Sequence, residues 1–321
     1  MTPTVIIPAY QAGHYLDRCL SAVLAAGFDR SEIMVVDDGS TDGSGKIIAE
    51  YKIRCLRNET PQGAAAARNL GAAQTDSDIL IFIDADIVIH PMTRQQILDK
   101  FAQDQTLTAL FGSYDDAPAA PGLVSQYRNL LHHHVHQQFS GQIHSFWTGI
   151  GAVRRDTFSE LGGFDTNWDM MEDVEFGLRL PTDKTMLVPN IMGTHLKEWT
   201  LWSMFQCDLW DRAVPWTRLL KSRRAEVGKL NLSRTHQLSA ICIGLFCLSL
   251  ILSIPAPISL IITFSALVGF LAINVDLWRL LYRVGGLRLM IPSVLFHAVH
   301  YGAALTGYLW VHLLDWKTAK Q

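Results

Sequence analysis

Two aspartates, Asp84 and Asp86, interrupt the apolar run ILIFIDADIVI at residues 79–89. A buried strand cannot hold two unpaired charges, so both must leave the sheet at its edge and meet something positive. At spacing i, i+2 in extended backbone the two side chains point the same way. Oxygen ligands clustered like this suit Mg²⁺ or Mn²⁺, and such a cation suits a diphosphate. The alternatives are an acidic pair that caps the next helix or is held by a neighbouring arginine. A second acidic group ends another apolar run, where Val35-Val36 leads into Asp37, Asp38, Gly39, Ser40, Thr41 and Asp42. A carboxylate there can accept a hydrogen bond from a base imide, and the hydroxyls and Asp42 are suited to cap the following helix. A third pair, Glu172-Asp173, follows the aromatic, glycine-rich segment 161–165 and opens a helical stretch. The helix dipole keeps carboxylates ionised at that position, where they can equally serve as caps.

Histidines add a weaker signal. His132 and His136 stand one helical turn apart, flanking His133 and His134. No acid follows at a ligand spacing, so polar roles are preferred to metal binding. The segment 146–152 reads as strand and turn. Its Trp147, next to Gly149, is placed either to stack on a sugar or headgroup or to fill the core.

These groups need a scaffold, and the pattern supplies one. Short β-branched runs at 5–7, 33–36, 53–56, 79–83 and 107–111 alternate with helical stretches at 14–26, 44–51, 64–73 and 93–103. That alternation predicts βαβ units around a mostly parallel α/β sheet, with ligands at the carboxyl ends of the strands. No G-x-G-x-x-G follows the first strand, where Pro8-Ala9-Tyr10-Gln11 stands, so a dinucleotide-binding dehydrogenase lacks its main signature. Neither is there a Gly- and Lys/Arg-rich phosphate loop of the kind expected in a nucleotidyltransferase. A formal net charge of −3, from 27 basic and 30 acidic residues in 321, gives no global field to recruit nucleic acid. Five scattered cysteines without a C-x-x-C argue against disulfides or zinc and for a reducing compartment. Residues 5–7 are too short for the apolar core of a signal peptide.

Beyond residue 232 the character changes. Residues 236–275 contain no Lys, Arg, Asp or Glu, and Pro255-Ala256-Pro257 divides them into two halves of about 20 residues, near the length of a membrane span. A transmembrane hairpin is the expectation. Arg218, Lys221, Arg223, Arg224, Lys229 and Arg234, against the single acid Glu226, precede it, and Arg279, Arg283 and Arg288 follow it. Those flanks put both outer ends on the cytoplasmic side. A further apolar segment at 287–314, with His297, His300, His312 and a small-residue patch around Gly302 and Gly307, is read as either spanning or re-entrant. With it spanning, Lys317 and Lys320 end outside. Residues 199–235 carry Trp202, Phe205, Leu209, Ala213, Trp216 and Leu220 at steps of three or four, with Pro215 expected to kink or divide the helix. This stripe reads as an interfacial collar or as a face packed on the protein's own core.

Taken in order, V-I-I-P-A-Y at 5–10, V-V-D-D-G-S-T-D at 35–42, A-A-R-N-L-G-A at 66–72, D-A-D at 84–86 and M-E-D-V-E-F-G-L-R at 171–179 resemble the motif set of family 2 glycosyltransferases with the GT-A fold. The match covers roughly residues 4–215 and so implies a catalytic domain over about 1–198. The catalytic domain followed by apolar helices resembles members that glycosylate lipid carriers or glycolipids. The resemblance implies a nucleotide-diphosphate sugar donor with its base against Pro8, Tyr10 and Asp38, and with Asp37 and Arg68 nearby. It assigns Asp84 to ribose or metal and Asp86 to the metal, Mg²⁺ or Mn²⁺. It makes Asp173, beside Glu172, the general base of an inverting displacement. Val88 stands where some relatives carry a further polar ligand, and His195 resembles a histidine that approaches the diphosphate. Processive synthases carry Q-x-x-R-W; Gln206-Cys207-Asp208-Leu209-Trp210 has leucine in place of that arginine, which implies single addition. The expected acceptor is lipid-linked or membrane-proximal, at the cytoplasmic face of an inner or plasma membrane. Transfer to polyprenyl phosphate and a non-catalytic scaffold of the same fold are the alternatives.

Overall fold

The computed structural model describes residues 1–168, 170–223 and 233–313. Arg224, Glu226 and Lys229 of the basic cluster, and Lys317 and Lys320, lie outside them. The chain forms two compact units, Met1–Ala120 with His136–Lys197, and Pro121–Val135 with Glu198–Gln321.

The first unit is built on a nine-stranded sheet. Its strands are β1 (Pro3–Ala9), β2 (Ile33–Asp37), β3 (Arg54–Arg57), β4 (Ile79–Ile83), β5 (Ile87–Ile89), β6 (Ala109–Tyr114), β7 (Gly141–Gln142), β8 (Ile150–Arg154) and β9 (Thr185–His195). The order is β3-β2-β1-β4-β8-β6-β9-β5, with β7 beside β9. Helices α1 (Leu16–Ala25), α2 (Ser44–Tyr51), α3 (Ala64–Ala72) and α4 (Thr93–Gln103) connect the early strands, and α6 (Arg155–Glu160) and α7 (Glu172–Arg179) come later, whereas α5 (Leu123–Gln137) belongs mostly to the second unit. From β3 to β4 every pairing is parallel, as the βαβ pattern predicts. At β8 the direction reverses, because β8 is antiparallel to both β4 and β6, so the sheet as a whole is mixed.

Strand β4 explains much of the site. All five of its residues are buried. Ile79, Ile81 and Ile83 enter one core with Leu16, Leu20 and Val23 of α1, a face set by the three-to-four spacing along that helix. Phe82 points to the other face, where its ring meets Phe158 of α6 at 5.5 Å and Phe164 at 5.1 Å. Phe176 of α7 packs on Phe158 and Phe164, at 5.3 and 5.1 Å. Those rings hold the start of α7, and hence Glu172-Asp173, in place. The apolar run at 79–89 is two strands. After Ile83 the chain turns, with the Ile87 N–H donating to the Asp84 carbonyl at 3.1 Å, and β5 joins β9 at the far end of the sheet.

The second unit is helical. Helix α8 (Leu201–Gln206) starts at Thr200, whose hydroxyl accepts from the Ser203 N–H, and runs through a π-helical turn (Cys207–Ala213) into α9 (Val214–Arg223). The wider turn accommodates Pro215, whose ring would crowd the carbonyl four residues back in a regular helix. Helices α10 (Arg234–Leu252), α11 (Leu260–Ile273) and α12 (Val275–Leu313) follow, and Gly286, at φ +61°, breaks the helical path of α12. The second apolar arm is a short helix, and the expected third segment begins where Gly286 separates it from the helical residues before it. Along the stripe, Phe205 and Leu209 pack with Val214, Ala303 and Val311. Trp202 and Trp210 remain exposed.

Candidate functional site

The carboxylates singled out at strand ends are each engaged, and by partners distant in sequence. Asp37, at the end of β2, is fully buried; one oxygen accepts from the Ser40 N–H at 2.9 Å and the other pairs with Arg57 at 2.6 Å. Asp38 accepts from the Asn58 side chain at 2.7 Å and from the backbone N–H groups of Gln62 and Gly63 at 2.9 and 2.8 Å. It thereby holds the loop 58–63 that leads into α3. Pro8 lies half-buried on β1 opposite Val36, and Tyr10 is exposed just past that strand.

Arg68, buried on α3, links two of the acidic groups. Its guanidinium donates to Asp84 at 2.7 Å and to Glu172 at 2.5 Å, and lies over the Phe164 ring. Two carboxylates around one buried cation outweigh the cost of its desolvation and raise the Arg68 pKa. Asp84 is thus held by a neighbouring arginine, one of the readings its sequence left open. Beside Glu172, Asp173 accepts from the N–H groups of Thr148 at 3.3 Å and Val174 at 2.7 Å. Burial pushes its carboxyl up and the Glu172 charge adds to the shift, while Arg68 opposes it; the outcome is about 7. Met171, just before α7, adopts φ +71°, a costly backbone state for a residue with a side chain, at the entrance to this pair.

Asp86 is partnered differently. Its carboxylate lies 3.3 Å from His195 Nε2, on the strand that pairs with β5. Burial would raise its pKa, but His195 and then Lys197 outweigh that and hold it below the ordinary carboxylate range. The His195 ring stacks on Tyr114, with centroids 4.6 Å apart. Tyr114 also meets Trp147 edge-on at 4.9 Å, and His136 meets Trp147 at 5.3 Å. Gly149 is required beside them, since a Cβ built there would overlap the Trp147 ring.

Sequence reasoning missed a neighbouring group. Asp115, buried at the end of β6, accepts from the Thr194 hydroxyl and lies 3.0 Å from His90 Nε2. The signal was another acid directly after an apolar strand, as at Asp84. The histidine run does not converge: His132 Nε2 accepts from Arg212 at 3.0 Å, whereas His136 packs on Trp147 and Phe111.

Among the described residues no group of three or more His, Cys, Asp or Glu could by itself hold a metal ion. The Asp86 and His195 donors nevertheless fit a hard or borderline divalent cation of the Mg²⁺ or Mn²⁺ kind. Such ions accept one or two protein ligands and complete their shell with substrate phosphates and water.

Residues 4–162 match the family model for Glycosyl transferase family 2. Glycosyltransferase GlyG of Streptococcus pneumoniae is 29% identical over 116 residues, covering 35% of this chain and 38% of that protein. An uncharacterized glycosyltransferase of Haemophilus influenzae is 25% identical over 192 residues, 55% of this chain and 61% of that one. The chain thus matches less than two thirds of the length of these curated relatives. The mannosyltransferase PcManGT from Pyrobaculum calidifontis, solved in complex with GDP-Man and Mn²⁺, superposes with a TM-score of 0.60 over 96% of this chain and 87% of that chain, at 18% identity. By its motifs, its mixed α/β sheet and these likenesses, the region 4–162 belongs to the family 2 glycosyltransferases, on a GT-A fold.

Proposed function

We propose that this enzyme is an inverting, metal-dependent glycosyltransferase that moves a single sugar from a nucleotide-diphosphate donor to a lipid-linked or membrane-proximal acceptor, at the cytoplasmic face of an inner or plasma membrane. The observation that carries the reading is the Arg68 bridge. By binding Asp84 and Glu172 together, it makes the acids after β4 and those opening α7 parts of one site. Asp86 and His195 would hold the cation, which supplies Lewis-acid stabilisation of the departing diphosphate when bound. Asp173, carrying a raised pKa and lying against the Thr148 N–H, takes the proton of the acceptor hydroxyl. Pro8, Tyr10, Asp37 and Asp38 lie around the donor base in this reading, with Asp38 also fixing the loop 58–63. Trp147 and Gly149 lie on the acceptor side. The GDP-Man and Mn²⁺ bound to the mannosyltransferase of like fold support the donor and metal classes.

Membrane association is supported by two helices long and apolar enough to cross a bilayer, Arg234–Leu252 and Val275–Leu313, and by exposed Arg234, Arg279, Arg283 and Arg288 around the uncharged stretch. Calorimetric titration of UDP- and GDP-sugars tests the donor site. Binding of one donor that strengthens with Mn²⁺ or Mg²⁺, weakens with chelator and is lost in Asp86→Ala but kept in Asp99→Ala is the expected result. Donor binding indifferent to both metal and Asp86 would refute the proposal.

A further inference from the structure

Resting on the membrane reading above, we infer that α10 and α11 form a re-entrant hairpin that enters and leaves the same face of the bilayer, with its proline-rich tip inside the hydrocarbon. Length is the first argument. A polar layer marks the base of the hairpin: Asn274 donates to the Ser239 hydroxyl at 2.9 Å and pairs with His297 Nε2 at 3.0 Å, and the Tyr301 hydroxyl lies 2.7 Å from His236 Nδ1. From Ser239 up to Ile254, and from Asn274 back to Ile258, helical rise gives only about 23 to 24 Å. The hydrocarbon core is ~30 Å thick, so a hairpin starting at one interface passes the midplane and stops short of the other. The second arm, Pro257–Ile273, falls below spanning length on its own.

The tip supplies the second argument. Ile254 and Ile258 are 87% and 73% exposed, the most exposed large apolar side chains of the described residues. No charge lies anywhere between residues 236 and 275. The tip's two hydroxyls turn inward, Ser253 onto the Leu250 carbonyl at 2.6 Å and Ser259 onto the Ser249 carbonyl at 3.0 Å. The N–H groups of residues 253, 254, 256 and 259 all donate within the hairpin, and Pro255 and Pro257 have none to satisfy. Four of the five backbone donors between residues 253 and 259 thus find partners inside the hairpin, which reduces the cost of placing this turn in lipid. Outward faces of both arms, with Leu245, Leu248, Phe264 and Val268, continue the apolar surface to the tip. Exposed Arg234 precedes the hairpin in sequence, and exposed Arg279, Arg283 and Arg288 follow it, charges that anionic headgroups of the entry leaflet would complement.

A spin label on Ala256→Cys, in full-length protein reconstituted in phosphatidylethanolamine and phosphatidylglycerol liposomes, reports the depth of the tip, with label on the native cysteines subtracted from a parent sample. The expected signal is relaxed by oxygen several-fold more than by a water-soluble nickel chelate. A tip that the chelate reaches as readily as a label on Arg234→Cys overturns the inference in favour of a full crossing. If carbonate strips the parent protein itself from liposomes, the membrane reading falls and the hairpin falls with it; retention of the parent with a chelate-accessible tip removes the hairpin alone.

Discussion

At the scale of single residues, the site works by giving neighbouring carboxylates different surroundings. Asp86 has a histidine and a lysine near it, which outweigh its burial and hold its carboxyl below the ordinary range. Asp173 has burial and the Glu172 charge, which shift its titration upward to about 7. A general base acts only when ionised, so transfer should rise with pH through about 7 and level off above it, the sign expected of an acid whose pKa is raised. The kcat/KM profile over pH 5 to 9 checks this; a limb at an ordinary carboxylate pKa would place Asp173 in a more polar setting than the one seen. Asp173→Asn should lower kcat by about 10² to 10⁴, the range of a lost general base, with donor KM little changed. Arg68 is a positioning residue in this scheme, because its guanidinium is spent on Asp84 and Glu172. Replacing it with Met leaves two carboxylates without their buried cation, a change of about 3–5 kcal/mol that thermal unfolding would detect.

At the scale of elements, close packing decides where these residues stand. Trp147 occupies the space above Gly149 and is braced by Tyr114 and His136. Gly149→Ala should therefore displace the indole and cost about 1–3 kcal/mol, visible as a lowered Tm together with a raised acceptor KM. A normal Tm and KM would mean that the ring moves aside freely. How far such arrangements could be read from the chain follows from how local their causes are. Strands β1 to β4 and β6 and helices α1 to α4 announced themselves through apolar runs and helical spacing within their own windows. Strand β5 did not, because Ile87, Val88 and Ile89 continue the run of β4 and only its partner β9, about a hundred residues on, separates the two. Acids at the ends of strands stood out, since a charge halts an apolar run. Their partners did not: Arg57 for Asp37, and Asn58 and Gly63 for Asp38, depend on which segments become neighbours. The reversal of direction at β8 was likewise hidden, because no short-range pattern distinguishes a parallel from an antiparallel buried strand.

At the scale of the whole molecule, the chain joins a GT-A catalytic unit to helices whose surface is largely apolar and exposed. The second unit has its own polar interior. Arg128 pairs with Asp208 at 2.6 Å, and His300 lies 2.8 Å from the same carboxylate, so buried charge is compensated where α5, the π-helical turn and α12 meet. The account stands on one claim, that Asp86 and Asp173 serve a single transfer reaction. The direct test is turnover of a nucleotide-sugar with membrane lipid as acceptor, measured in parallel for wild type, Asp86→Ala, Asp173→Asn and the surface control Asp99→Ala. The account predicts metal-dependent transfer in wild type and Asp99→Ala, and its loss in both site variants with folding intact. Equal transfer by Asp86→Ala and Asp99→Ala, or full activity in Asp173→Asn, would contradict it.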